Sequence, residues 1–441
     1  MQEIFGTDGI RTQIGKEPLT APKLLQLASA IGKWLTTEKK NASLALGYDT
    51  RYSSALCKAS LKAGLLQYPI KVTDCSITPT PVLQQYVTAH NYDLGIMITA
   101  SHNKACDNGI KLFTANGKIS KTDQAIITQL FHEDTFEVDY DNLGQEIHNS
   151  MVQAWNLERL ATFFKKNFLQ GITIVLDYAH GAYWPSALQV FESFGATVIS
   201  LHNNPNGKNI NEQCGSLYPQ ELQKAVIAHQ AAIGFAFDGD GDRVIIVNQD
   251  GVIKDGDDIL GFLQLNPYYS QQTTAVTTVM ANQGLIEYFK SNNKTLLQTP
   301  VGDTFVIEKL KEHKLLLGAE PSGHVILGDN NYISDGLFTA LRVCQTALLV
   351  KNFKVETFEK FPQIMINVPV SCKKDLTQWP FCQVIEEHQK MLTKGRVLVR
   401  YSGTEPLLRI MIETVDAQEA HKIANLLSTN LINALQNKEN Q

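Results

Sequence analysis

Asp238, Asp240 and Asp242 alternate with glycines in Phe237-Asp238-Gly239-Asp240-Gly241-Asp242-Arg243, and an arginine follows directly. Glycine lets the backbone turn tightly enough for carboxylates at i, i+2 and i+4 to converge on one point. Three converging carboxylates repel one another unless a cation lies between them, which implies a hard, oxygen-preferring ion such as Mg²⁺. An acidic surface turn would explain the Asp and Gly content, but not the apolar strand that runs straight into it. A calcium loop of the helix-loop-helix type needs Gly at its sixth position and Glu at its twelfth, where this stretch has Arg243 and Gln249. A phosphatase with an aspartate nucleophile after a strand stands as a rival, with Asp238 and Asp240 as its candidates.

Three further stretches carry chemistry. Thr99-Ala-Ser101-His102-Asn103 runs through Asp107-Asn108-Gly109 into Ile110-Lys111-Leu112-Phe113. Alone, Ser-His-Asn reads as a turn or a helix cap, and Lys111 as an exposed strand residue. Arg400-Tyr-Ser402-Gly403-Thr404-Glu-Pro406, with Arg409, places two arginines, two hydroxyls and glycine-freed backbone N–H groups on one turn. That is a phosphate cradle, set against the alternative of a surface hairpin with incidental charges. Glu320-Pro-Ser322-Gly-His324 offers a carboxylate, a hydroxyl and an imidazole, a mix suited to sugar hydroxyls and proton traffic or to a plain loop.

Elements must hold these groups in place. Short β-rich runs alternate with amphipathic segments, which predicts α/β layers. Strands are expected at 44–48, 94–98, 172–176, 197–201, 233–237, 275–279 and 315–317, and helices at 53–67, 122–131, 184–193, 219–229, 285–291 and 303–312. Polar stretches at 134–150 and around 248–257 read as boundaries. From about residue 362 the pattern changes to strands at 396–400 and 408–412 around the Ser402 turn, closed by a helix from Ala417. The expected fold class is therefore α/β: three α/β mixed-sheet domains (1–150, 151–252 and 253–361) plus a smaller C-terminal α+β domain (362–441). The loops at 99–109, 238–243 and 320–324 each follow an apolar strand, one per domain, so they are expected to line a central cleft.

With 441 residues, 44% hydrophobic and 19% charged, the chain has the composition of an ordinary globular protein. A net charge of −5 gives no reason to expect nucleic acid or an anionic membrane as partner. Seven cysteines without a Cys-x-x-Cys suit reduced thiols in the cytoplasm. The start, Met1-Gln-Glu-Ile-Phe, lacks the pattern of a secretory signal, and no apolar run approaches the roughly 20 residues of a membrane span.

Together the motifs resemble the α-D-phosphohexomutase superfamily, from Phe5-Gly-Thr-Asp-Gly-Ile-Arg11 to Arg400-Tyr-Ser-Gly-Thr-Glu-Pro-Leu-Leu-Arg409, in that family's order and spacing. Asn209-Ile-Asn-Glu-Gln-Cys-Gly-Ser216, Thr278-Val-Met-Ala-Asn282 and Val301-Gly-Asp303 resemble its glucosamine branch. The resemblance implies an isomerase that interconverts glucosamine 6-phosphate and glucosamine 1-phosphate for cell-wall synthesis, through a phosphoserine enzyme and a 1,6-bisphosphate of glucosamine or glucose. It implies Ser101 as carrier of the phosphoryl group, and Mg²⁺ held by Asp238, Asp240, Asp242 and the phosphoserine. By the same resemblance Lys111 and His324 are the proton carriers, Arg243 offsets charge, and Arg11 and His102 flank the nucleophile. Glu320 and Ser322 would grip sugar hydroxyls, and Arg400, Ser402, Gly403, Thr404 and Arg409 the phosphate that does not react. The partner is a small hexosamine phosphate, and the enzyme a monomer or homodimer.

Four positions depart from the family's pattern: Thr12, Lys104, Pro321 and Tyr401. Pro321 stands where the glucosamine branch commonly has glutamine, so a mutase for glucose or mannose phosphates is the alternative on the same machinery. A binding protein without catalysis is a third class.

Overall fold

The computed structural model describes residues 3–6, 8–133, 138–402 and 406–437. The chain divides into two compact units, the first made of Met1–Val279 and Leu297–Val355, the second of Met280–Leu296 and Glu356–Gln441.

Three mixed sheets build the first unit. The first runs in the order Ile10–Gln13, Asp107–Thr114, Leu94–Ile98, Ala42–Tyr48, Ile70–Ile77, Gln145–His148, with the short Gly117–Lys118 strand added to Asp107–Thr114. Leu94–Ile98 is buried along its whole length, as a strand covered on both faces must be. It runs parallel to Ala42–Tyr48 on one side and antiparallel to Asp107–Thr114 on the other. The second sheet runs Ile253–Lys254, Val244–Asn248, Ile233–Phe237, Thr173–Asp177, Thr197–Leu201. The third runs Thr295–Thr299, Thr274–Thr278, Leu317–Ala319, Val325–Leu327, Ile333–Ser334.

Hydrogen bonds pin these layers together. Gln85 donates to the carbonyl of Asn330 at 2.9 Å, and the Tyr183 hydroxyl to Asp335 at 2.7 Å. Asp335 also caps the helix Gly336–Val350 by accepting from the N–H of Phe338. Among the described residues no helix is long and apolar enough to cross a membrane.

The second unit contains an antiparallel three-stranded sheet, Gln363–Pro369, Leu407–Thr414, Gly395–Tyr401, covered by the helix Ala417–Asn437. That helix buries Ala420, Ile423, Ala424, Leu427 and Leu431, an i, i+3, i+4 stripe against Leu408, Ile410 and Ile412. Each fully buried leucine in such a stripe contributes roughly 1.5–3 kcal/mol.

Most expected elements lie within a few residues of their observed ends. The stretch 134–150, read as a boundary, contains the strand Gln145–His148 in its described part, paired in parallel with Ile70–Ile77. Its side chains are exposed throughout, so no alternation marked it. Around 248–257 the chain forms the short strand Ile253–Lys254 and opens the helix Gly256–Leu263, capped by Asp255.

Candidate active site

Ser101 is the third residue past the buried strand Leu94–Ile98, and Asp238 directly follows the buried strand Ile233–Phe237. The two meet: Ser101 Oγ donates to Asp238 Oδ2 at 2.6 Å. Ser101 is buried and holds a left-handed backbone, with φ of 51°. Such a conformation is uncommon outside glycine and marks an over-determined loop. Gly239 is required here, because a Cβ on it would stand 2.7 Å from the Ser101 carbonyl oxygen.

The triad is clamped by cations and N–H groups. Asp238 Oδ1 accepts from the backbone N–H groups of Gly241 and Arg243, both at 3.1 Å. Lys111 Nζ donates to Asp240 Oδ2 at 2.6 Å and to Asp242 Oδ2 at 2.8 Å. Thr80 donates its hydroxyl to the same oxygen of Asp240 and its N–H to the Asp240 carbonyl at 2.9 Å. Burial alone would push the Lys111 ammonium down, but Asp240 and Asp242 outweigh it and hold it above the usual lysine range. Burial would raise Asp242, yet Lys111, joined by Arg243, holds it below the usual carboxylate range. For Asp238, burial and then Asp242 and Asp240 outweigh the nearby Arg243 and the Ser101 hydroxyl and push it well up.

One oxygen from each of the three carboxylates lies within 4.8 Å of the others. Asp240 Oδ1 and Asp242 Oδ1 are buried and accept no hydrogen bond from any described residue. A set of convergent oxygens with buried lone pairs left over fits a hard divalent cation.

Arg243 Nε donates to His324 Nε2 at 2.9 Å, which places the His324 proton on Nδ1. Nδ1 lies 3.2 Å from Ser334 Oγ, and that hydroxyl donates to the Asp242 carbonyl at 2.7 Å. His102 Nδ1 lies 3.3 Å from Ser101 Oγ, and burial followed by Arg243 and Arg11 pushes this imidazole down to about 3. Arg11 donates to Asn103 Oδ1 at 3.3 Å. A cavity of about 340 Å³ opens on this cluster, and Ser101, Lys111, Asp242, Arg243, His324 and Arg11 all face it.

Glu320 and Ser322 are not among the described residues that line the cavity. Glu320 is buried and accepts from the Gly302 N–H at 2.9 Å, while Ser322 is exposed. In the second unit, Arg400 and Arg409 stand opposite each other on paired strands. Burial and the neighbouring Arg409 push Arg400 below the usual arginine range. Ser402 is buried and its N–H closes the turn onto the Leu407 carbonyl at 2.8 Å. Gly403 and Thr404 lie outside the described residues.

Sequence reasoning missed Asp49, Arg51 and Thr80. Arg51 and Asp49 form a fully buried pair at 2.9 Å. Arg51 Nη2 donates to the carbonyls of Ser101 and Asn103, both at 2.9 Å, and Nη1 to that of Asp107 at 3.0 Å. Asp49 accepts from Thr99 Oγ1 at 2.6 Å, and Thr99 Oγ1 accepts from the Ser101 N–H at 2.9 Å. The available signal was Asp49-Thr-Arg51 at the end of an apolar strand, since a buried charge must find its partner nearby.

Family models of the phosphoglucomutase/phosphomannomutase type match the chain in order: alpha/beta/alpha domain I at residues 2–138, domain II at 156–251, domain III at 255–360 and the C-terminal domain at 365–428. The chain belongs to the phosphoglucomutase/phosphomannomutase family. It is an isomerase of the phosphohexomutase superfamily, an intramolecular phosphotransferase. It is 36% identical over 434 residues to a phosphoglucosamine mutase of Acinetobacter baumannii, covering 96% of this chain and 97% of the relative. A phosphoglucosamine mutase of Ruthia magnifica is also 36% identical, over 443 residues, with 97% and 100% covered. A phosphoglucomutase/phosphomannomutase family protein of Burkholderia thailandensis shares the fold, with a TM-score of 0.80 at 22% identity and 96% of each chain covered. So does an N-acetylphosphoglucosamine mutase of Aspergillus fumigatus, solved with GlcNAc-6P and magnesium, with a TM-score of 0.69 at 17% identity, covering 98% of this chain and 96% of that one.

Proposed function

We propose that this phosphohexomutase interconverts glucosamine 6-phosphate and glucosamine 1-phosphate, with Ser101 as the stored phosphoryl carrier. The contact that carries the reading is Ser101 Oγ at 2.6 Å from Asp238, at the wall of a cavity large enough for a sugar phosphate. The full-length similarity to phosphoglucosamine mutases supports the amino sugar as substrate.

A bare serine is a weak nucleophile, and His102, neutral and cation-flanked, is a poor base for it. A preloaded phosphoserine avoids the difficulty, because Ser101 then serves as leaving group. The sugar hydroxyl attacks phosphorus, the bond from phosphorus to Ser101 Oγ breaks, and the hydroxyl proton passes to a neighbouring base. The 1,6-bisphosphate then presents its other phosphate, and Ser101 takes it back with the reverse proton transfer. His324 and Lys111 are the proton carriers within reach of the cavity. As the structure stands Lys111 is a donor, held charged by Asp240 and Asp242, and Arg11 and Arg243 add positive charge beside the phosphoryl position.

Asp238, Asp240 and Asp242, with an oxygen of the phosphoserine, are the residues that would hold Mg²⁺. Bound there, the ion would draw charge from the phosphoryl oxygens during transfer. We assign Arg400, Ser402 and Arg409 to the phosphate that is not transferred, since an anion relieves the repulsion between the two guanidinium groups. Glu320 and Ser322 are assigned to sugar hydroxyls, and glucosamine or glucose 1,6-bisphosphate is the activator. Seven unpaired cysteines support a reducing, cytoplasmic setting.

The aspartate-nucleophile alternative is disfavoured by geometry, because both oxygens of Asp238 are already engaged, by two backbone N–H groups and by Ser101. Turnover of the 6-phosphates of glucosamine, glucose and mannose, each primed with bisphosphate, tests the reading. Glucosamine 6-phosphate should be the preferred substrate, and faster turnover of glucose 6-phosphate would overturn that choice.

A further inference from the structure

A second cluster of ligating side chains lies in the second sheet, apart from the cavity. Asp177 ends the strand Thr173–Asp177, His202 follows the parallel strand Thr197–Leu201, and Cys214 precedes the turn Gly215–Leu217. A carboxylate oxygen, a ring nitrogen and the thiol sulfur lie within 4.8 Å of one another. The Asp177 and Cys214 side chains are buried, while His202 retains some exposure at one edge of the group, which leaves a way in for an ion.

We propose that Asp177, His202 and Cys214 form a second metal site, for a thiolate-accepting divalent ion such as Zn²⁺. Donors around a tetrahedral zinc stand roughly 3.3–3.8 Å apart, given bond lengths of about 2.0–2.3 Å. In the cluster His202 Nδ1 is 3.0 Å from Asp177 Oδ1, slightly inside that spacing, and the donor atoms of the three residues lie within 4.8 Å of one another. Nδ1 faces Asp177 Oδ1 closely enough for the two to pair directly when no ion lies between them. The other ring nitrogen, Nε2, lies 2.9 Å from Glu221 Oε2, the carboxylate partner that a metal-bound imidazole usually has on its far side. Asp177 is itself oriented by the N–H groups of Ala179 and Gly215, each at 2.9 Å.

A protonated His202 between Asp177 and Glu221 would also balance charge. That ion pair leaves Cys214 only a packing role in the interior. Binding of an ion there would release the Cys214 proton. Mixed N, S and O donors favour a borderline ion, whereas the all-oxygen triad favours a hard one, so the two sites are told apart by metal.

The site would act as a clamp on the catalytic loops. Asn211, on the segment between His202 and Cys214, donates to the carbonyls of Ser101 at 2.8 Å and Asn103 at 3.1 Å. From the Asp177 side, the Ala182 N–H donates to the Gly239 carbonyl at 2.9 Å.

Titrating the reduced, full-length protein with Co²⁺ in excess Mg²⁺ tests the proposal through the near-ultraviolet thiolate-to-cobalt charge-transfer band. The expected result is a band that saturates near one equivalent, is displaced by Zn²⁺ and is absent in Cys214→Ser. His202→Asn, which suits the left-handed backbone at this position (φ 49°), should keep the fold and weaken Co²⁺ uptake by more than about tenfold. Zn²⁺ should raise the Tm of the wild type and not that of His202→Asn. A wild type without the band, a band unchanged in Cys214→Ser, or unaltered Co²⁺ affinity in His202→Asn would overturn it.

Discussion

Arg51 reaches the carbonyl oxygen of Ser101 at 2.9 Å from a guanidinium with no exposed surface, and so holds that serine by its backbone instead of its side chain. The same group binds the carbonyls of Asn103 and Asp107 and is neutralised by Asp49. Arg51→Met would leave Asp49 buried without its cation and the loop carbonyls without donors. A loss of roughly 3–5 kcal/mol is expected, read from urea unfolding of the full chain. Arg51→Lys should recover part of that, because a compact ammonium cannot serve the spread of acceptors a planar fork reaches. A stability change under about 0.5 kcal/mol for Arg51→Met would show that the loop holds itself.

Ser101→Ala removes the proposed phosphoryl carrier together with its 2.6 Å hydrogen bond to Asp238, while the backbone bonds from Arg51 and Asn211 hold the loop in place. Turnover should fall by at least roughly 10³-fold, as for other lost nucleophiles. Phosphopeptide mapping of the wild type should find phosphate on Ser101, and intact mass should find none on the variant. Phosphate on an aspartate, with activity retained in Ser101→Ala, would instead support the rival phosphatase chemistry.

The legibility of this chain follows from where its charges lie. Asp238, Asp240 and Asp242 were readable because a strand and interleaved glycines dictate convergence without any distant contact. The strand Leu94–Ile98 was readable because burial on both faces leaves an unbroken apolar run. Arg51 was not, since its partners beyond Asp49 are carbonyls about 50 residues away, and a backbone acceptor has no residue type. Thr80 was hidden for a like reason: its hydroxyl meets Asp240 across 160 positions, and threonine at a helix start has a commoner explanation as a cap. Glu320 shows the converse, a residue of promising chemistry whose observed bond is to the backbone of Gly302.

Lys111 is the ammonium that balances Asp240 and Asp242, at 2.6 and 2.8 Å. Lys111→Met should therefore lower turnover by about 10²–10⁴-fold and also make the folded protein lean on added cation. Without Mg²⁺ the variant should unfold at a lower temperature than the wild type, since buried carboxylates are left facing one another. Added Mg²⁺ should raise the Tm of Lys111→Met by more than it raises that of the wild type. Thermal unfolding over a Mg²⁺ series checks this, and equal shifts in the two proteins would count against the triad as the ion's site.

Lys118 bridges Asp8 and Asp303, each at 2.8 Å, at the rim of the cavity. Burial would raise Asp8, but Lys118 outweighs it, joined by Lys111 and Arg11, and holds its carboxyl well below the ordinary 3.8. A carboxylate lowered in the folded state contributes stability that is full above its unfolded value and fades as pH falls through the folded one. The stability gap between wild type and Lys118→Met should thus be constant near neutral pH and begin to shrink below about pH 4, where the unfolded chain takes up its proton first. Urea unfolding of both proteins between pH 3 and 7 reads this directly. Because the bridge is partly exposed, the gap should be small and fall further in high salt. A gap that widens on acidification would mean that Lys118 destabilises the ionised form of Asp8, against the geometry of the bridge.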